Sequence, residues 1–139
     1  MRKSHALFVI TAIFMLIAVF FIAMPFIFLG SPLPFFSIDN EDVNEHEAVI
    51  EIFDSTNESI FNKIYELSPE EHISQPKPLW LLLQLSFPPG DKENYKVKVT
   101  LDNNITETRL IEFELWNTVD VKLYNHEAEM PIAIGVITV

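Results

Sequence analysis

The sequence predicts a mainly β protein in which one N-terminal transmembrane helix precedes an antiparallel β-sandwich of about seven strands. Three observations carry this. Residues 6–29 form a run of 24 residues with no charge and with Thr11 as the only polar side chain. Beyond residue 45 the apolar pattern repeats every second position, as where Tyr95, Val97, Val99 and Leu101 alternate with Lys96, Lys98 and Thr100. Clusters of Asp, Asn, Ser, Pro and Gly then separate short apolar segments at intervals that suit strands rather than helices.

At about 1.5 Å per residue the first run makes a helix of roughly 36 Å, enough to cross a hydrocarbon layer of about 30 Å. A cleaved signal has an apolar region of only about 7 to 15 residues before a small-x-small site. Ala23-Met24-Pro25 is no such site and no cysteine follows it, so an uncleaved, unlipidated anchor is expected. Arg2 and Lys3 precede the run, whereas Asp39, Glu41, Asp42 and Glu45 come before the next basic residue, Lys63. The positive-inside rule then places the N-terminus in the cytoplasm and the remainder outside the cell membrane. Ala6, Ala12, Ala18 and Ala23 are never four apart, so no small-residue dimer face is expected. With no ionisable group in the run, a proton or ion pathway is not expected either.

The rest of the 139 residues suffices for one small domain. Seven of the nine basic residues and all twenty acidic ones lie beyond Gly30, a formal charge of seven minus twenty, or −13. Such a domain is repelled by nucleic acid and by anionic lipid. The absence of cysteine excludes disulfides, thiol catalysis and thiolate metal sites.

Residues 1–29 are thus read as basic start and helix, 30–44 as a Pro-containing tether, and 45–139 as the extracytoplasmic domain. In the tether Pro32 and Pro34 favour extended backbone, with Phe35-Phe36 resting at the lipid interface or against the domain. Strands are expected at 45–54, 60–67, 79–87, 95–101, 105–115, 119–123 and 131–138. The third alternates Leu79, Leu81, Leu83, Leu85 and Phe87 with Trp80, Leu82, Gln84 and Ser86 between prolines. Segment 60–67 also suits a short helix face, and its Ile, Phe and Tyr content favours the strand. The apolar phase slips within 105–115, which suggests a bulge near Arg109 to Ile111. Turns are expected at 54–57, 68–71, 88–91 and 102–104.

A basic start, one membrane helix, then HEAVIEIFDSTNESIFNKIYELSPEEHIS and NYKVKVTLDNN resembles small archaeal envelope proteins. The resemblance spans about 45–104 and implies a membrane-anchored sandwich of immunoglobulin or transthyretin type. It brings no functional residue with it.

Candidate sites are few. His46, His72 and His126 each adjoin a glutamate, and His-Glu-Ala occurs twice, at 46 and at 126. If those segments meet, imidazole and carboxylate suit Zn²⁺ or Cu²⁺, although neighbours on one strand point to opposite faces and seldom chelate together. His5 is a membrane flank, and the Asp39 to Asp42 and Glu70-Glu71 clusters lack calcium-loop spacing. Asn57 and Asn104 each begin an Asn-x-Ser/Thr glycosylation pattern. Trp80, Trp116 and Tyr124 lie opposite their strands' main apolar rows and form an aromatic patch if they meet. The apolar last segment, MPIAIGVITV, is expected to be a central strand, with a partner-pairing edge strand as the alternative.

No nucleophile elbow or phosphate loop is present, so no enzyme and no cofactor are expected. The sequence therefore points to a single-pass, non-enzymatic interaction or structural module of the cell envelope, its partners lipid through residues 6–29 and a protein or glycan. A pilin-like filament subunit and a metal-binding extracytoplasmic module are the alternatives.

Overall fold

Strict alternation of buried and half-buried residues, as in HEAVIEIF and NYKVKVTL, lets a strand turn one face to the core and the other toward solvent, and two such faces together close a core. A computed structural model describes residues 2–86 and 93–139. They form α1 (Arg2–Leu29), β1 (Phe36–Asn40), β2 (His46–Phe53), β3 (Ser59–Leu67), β4 (His72–Gln75), α2 (Leu79–Ser86), β5 (Asn94–Leu101), β6 (Ile105–Glu112), β7 (Asn117–Leu123) and β8 (Ile132–Thr138). The expected turn at 88–91 lies outside the described residues.

Helix α1 is a unit of its own with Gly30 to Pro32, and it contains a span, His5–Met24, long and apolar enough to cross a membrane. The domain, Leu33–Val139, is a β-sandwich of two four-stranded sheets, ordered β4-β1-β7-β8 and β3-β2-β5-β6. All neighbours are antiparallel except β1 and β7, which run parallel from Phe36 beside Val119 to Asn40 beside Leu123. Ile38, Val119, Val121 and Leu123 of one sheet share a core with Ile50, Ile52, Val97, Val99 and Leu101 of the other.

The structure corrects four expectations. The tether at 30–44 contains β1, and Phe35 and Phe36 are 0% and 1% exposed, packed in the core against Phe113, Phe61 and Tyr65. Segment 79–86 is helix, not strand. Its residues include no β-branched side chain, leucine is a strong helix former, and Pro78 suits a helix start, its carbonyl accepting from the Leu81 and Leu82 amides at 3.0 and 3.1 Å. The β5–β6 register runs unbroken through Arg109 and Ile111, and the irregularity falls instead between Ile52 and Phe53 of β2. Residues 106–110 are all exposed because β6 is an edge strand, which explains the apparent slip of phase. The last strand, β8, is likewise an edge and not central.

Two ends of the sandwich are distinct. At the near end, where the chain arrives from α1, the Leu33 amide donates to the Leu115 carbonyl (3.1 Å) and the Val139 amide to the Trp116 carbonyl (3.1 Å). The buried Lys77 ammonium donates there to the carbonyls of Leu33 (2.7 Å), Pro34 (3.0 Å) and Asn117 (2.6 Å). At the far end lie the connections 41–45, 68–71, 102–104 and 124–131.

Candidate functional site

The far end is built by turns whose residues lock one another. Asn40, at the end of β1, is 2% exposed; its Nδ2 donates to the carbonyls of Asn44 (2.8 Å) and Ser68 (2.9 Å), and its Oδ1 accepts from the Asp42 amide (3.0 Å). That fixes the loop carrying Asp42. Asp102 and Asn103 both take positive φ (47° and 54°) in a hairpin turn closed by the Asn104 amide on the Leu101 carbonyl (3.0 Å). Asp and Asn tolerate that conformation, so the sequence Asp-Asn-Asn specifies the turn. Asp102 is pinned to β2, its amide donating to the Glu47 carbonyl (2.8 Å) and its Oδ1 accepting from the Glu47 amide (2.7 Å).

His46, the first residue of β2, sits among these groups and is 6% exposed. Its Nε2 lies 2.9 Å from Asp42 Oδ2 and its Nδ1 2.7 Å from Asp102 Oδ2. His126, from the β7–β8 connection, places Nε2 2.7 Å from that same Asp102 oxygen, with its ring 5.5 Å from the His46 ring. The facing atoms of His46, Asp102 and His126 all lie within 4.8 Å of one another.

With a carboxylate at each nitrogen, the His46 ring donates from both and is an imidazolium. Burial works against that charge, but the hydrogen bonds to Asp102 and Asp42 outweigh it and raise the His46 pKa above its ordinary value. The Asp42 carboxyl is lowered, chiefly by its hydrogen bond to His46. For Asp102 partial burial opposes ionisation, yet the Glu47 amide and the two histidines hold its pKa below the usual carboxylate range.

Of the three histidines singled out in the sequence, the structure brings together His46 and His126, the two that begin His-Glu-Ala. His72 stands apart on β4 and pairs with Asp39 Oδ1 at 2.6 Å. Asp102 was not legible as a site residue, because its contact with His46 spans 56 positions and exists only through the β2–β5 pairing; Asp42, read in the sequence only as part of the Asp39 to Asp42 cluster, instead pairs with His46 four positions on.

The aromatic candidates do not form one patch. Trp116 and Tyr124 flank the seven residues of β7 at its two ends, and at about 3.3 Å per residue they lie on opposite ends of the sandwich. Trp80 is on α2, 43% exposed beside exposed Leu79 and Leu83. Asn57 and Asn104 are both exposed in turns, the Asn57 side chain accepting from Lys96 Nζ. No protein-family model matches the chain, and no curated protein matches it.

Proposed function

We propose that this protein is a single-pass, membrane-anchored β-sandwich displayed outside the cell, acting as a non-enzymatic interaction or structural module of the envelope. One observation carries the reading: His5–Met24 is a continuous apolar helix in which no residue is buried. A bare apolar cylinder of this length is stable in hydrocarbon and a liability in water. The flanking charges favour a cytoplasmic N-terminus, and the resemblance to archaeal envelope proteins points the same way.

Presentation is the mechanism. One end of the domain holds exposed Leu79, Trp80 and Leu83 and receives the chain at Leu33; the opposite end carries the histidines and carboxylates and is the surface offered to a partner. The end of β8, beyond the Ile134 carbonyl to which Arg109 of β6 donates, is the second contact surface. Edge strands β3 and β6 carry charged residues, as protected edges do, whereas Val136, Ile137 and Thr138 at the end of β8 are exposed and uncharged. An extended segment of a protein partner adds to such an edge through its backbone groups.

Protease treatment of sealed cells tests the reading. The C-terminal domain is expected to be cut from outside, while the helix stays in the membrane fraction. Recovery of the full chain in the soluble fraction, or a domain protected until lysis, overturns it.

A further inference from the structure

We infer that His46, Asp102 and His126 form a binding site for one divalent transition-metal ion, with Zn²⁺ the cation that their donor set fits. This goes beyond the anchored-module reading and does not depend on it. Two imidazole nitrogens and one carboxylate oxygen are borderline donors of the kind that hold Zn²⁺, with a fourth position left to water or a partner's side chain. The three donor atoms already converge: both nitrogens stand 2.7 Å from Asp102 Oδ2, and all three lie within 4.8 Å of one another. Tetrahedral bonds of about 2.0–2.1 Å separate ligands by roughly 3.3 Å, so each nitrogen withdraws from that oxygen by roughly 0.6 Å while the two nitrogens, within 4.8 Å of each other, close to that same spacing, a movement that exposed His126 on its loop is free to make. The ion then takes the place of the hydrogens the rings share with Asp102.

Two features go beyond what a hydrogen-bonded ion cluster needs. Each of the two β2-anchored ligands is oriented by an outer partner: the far nitrogen of His46 faces the buried Asp42, and the second oxygen of Asp102 is held by the Glu47 amide. A carboxylate behind a ligating histidine is the arrangement that fixes its ring and raises its basicity. The third ligand, His126, is solvent-accessible, its side chain 41% exposed, which gives a hydrated cation access and leaves a coordination position open. Glu45 and Glu47 adjoin His46 in the chain and add negative charge to this end of an acidic domain.

The test uses the full chain in detergent micelles, stripped with chelator and titrated with Zn²⁺ by calorimetry and with Co²⁺ by visible absorption. One ion per chain is expected at micromolar concentration or below. His126→Ala and Asp102→Asn are each expected to weaken binding about tenfold or more, and Asp42→Asn to weaken it through the His46 ring. His72→Ala is expected to bind as the unaltered protein does. Because His46 is buried, its own variants risk unfolding; His126 is exposed, and circular dichroism checks that the His126→Ala domain stays folded. Absence of saturable binding at micromolar Zn²⁺ overturns the inference, as does binding that survives both His126→Ala and Asp102→Asn, or that is lost in His72→Ala.

Discussion

Two buried cationic side chains anchor the two ends of this sandwich, and each makes a separate prediction. His46 joins Asp42 and Asp102, so His46→Ala leaves two carboxylates facing a void and is expected to lower unfolding stability by about 3 kcal/mol, read by urea denaturation. Lys77 has three carbonyl acceptors, and burial pushes its pKa down to about 8. Lys77→Met keeps the stem but strips those carbonyls of their donor, a loss of about 1–3 kcal/mol. The unfolded chain holds the Lys77 proton up to its ordinary 10.5, whereas the folded domain releases it near 8. Between those values the unfolded state binds more protons, so the stability of the lysine protein rises with pH. Urea unfolding of both proteins from about pH 8 to about pH 10 is expected to show it gaining on Lys77→Met; a constant gap would mean that the carbonyls retain the ammonium. None of this was visible in the sequence. His46 was, by its repeated tripeptide, but a buried lysine between prolines looks like any solvated one until β1 and β7 bring the carbonyls of 33, 34 and 117 around it.

The elements that read clearly from sequence are those whose two faces differ chemically. NYKVKVTL has lysine and threonine on one face and is β5 with the expected bounds to within a residue. LWLLLQLS has leucine in both phases, so a period of two cannot be told from one of 3.6, and propensity with the flanking proline decides for α2. Strand β1 was hidden by Pro32 and Pro34, and four-residue β4 is too short to show any period. On α2, Leu81 is fully buried while Leu79, Trp80 and Leu83 are exposed. Leu81→Ala is therefore expected to cost about 3 kcal/mol, and Leu83→Ser within about 0.5 kcal/mol of nothing, as measured by thermal or urea unfolding. On β8, Val136→Lys places a charge on the exposed edge. Since Val136 is 40% exposed and lies opposite core Val119, the substitution is expected to cost about 1 kcal/mol while leaving the domain folded, and to abolish any partner captured by a photo-crosslinker at position 137 in native membranes.

At the scale of the molecule, sequence showed an apolar run and an acid-rich remainder but not how the sandwich is wired. The parallel β1–β7 pair joins residues about eighty positions apart, and it is this pair that separates the near end from the far one. Because β1 and β7 both start at the near end, the chain's arrival point, α2 and the C-terminus share one end, while Asp42, His46, Asp102 and His126 gather at the other. The domain closes its hydrogen bonds from Leu33 onward, that residue's amide and carbonyl being engaged by Leu115 and Lys77. Its described core residues run from Phe35 to Ile134. A chain beginning at Leu33 is accordingly expected to fold alone and to unfold cooperatively, with a Tm within about 4 °C of the domain in the full chain, roughly the shift that 1 kcal/mol produces at this size. Calorimetry of the truncated domain checks this. A chain begun at Ser37 instead loses Phe35 and Phe36 and the acceptors at 33 and 34 together, and is expected not to fold, because the stretch that reads as a tether supplies the strand on which the two ends depend.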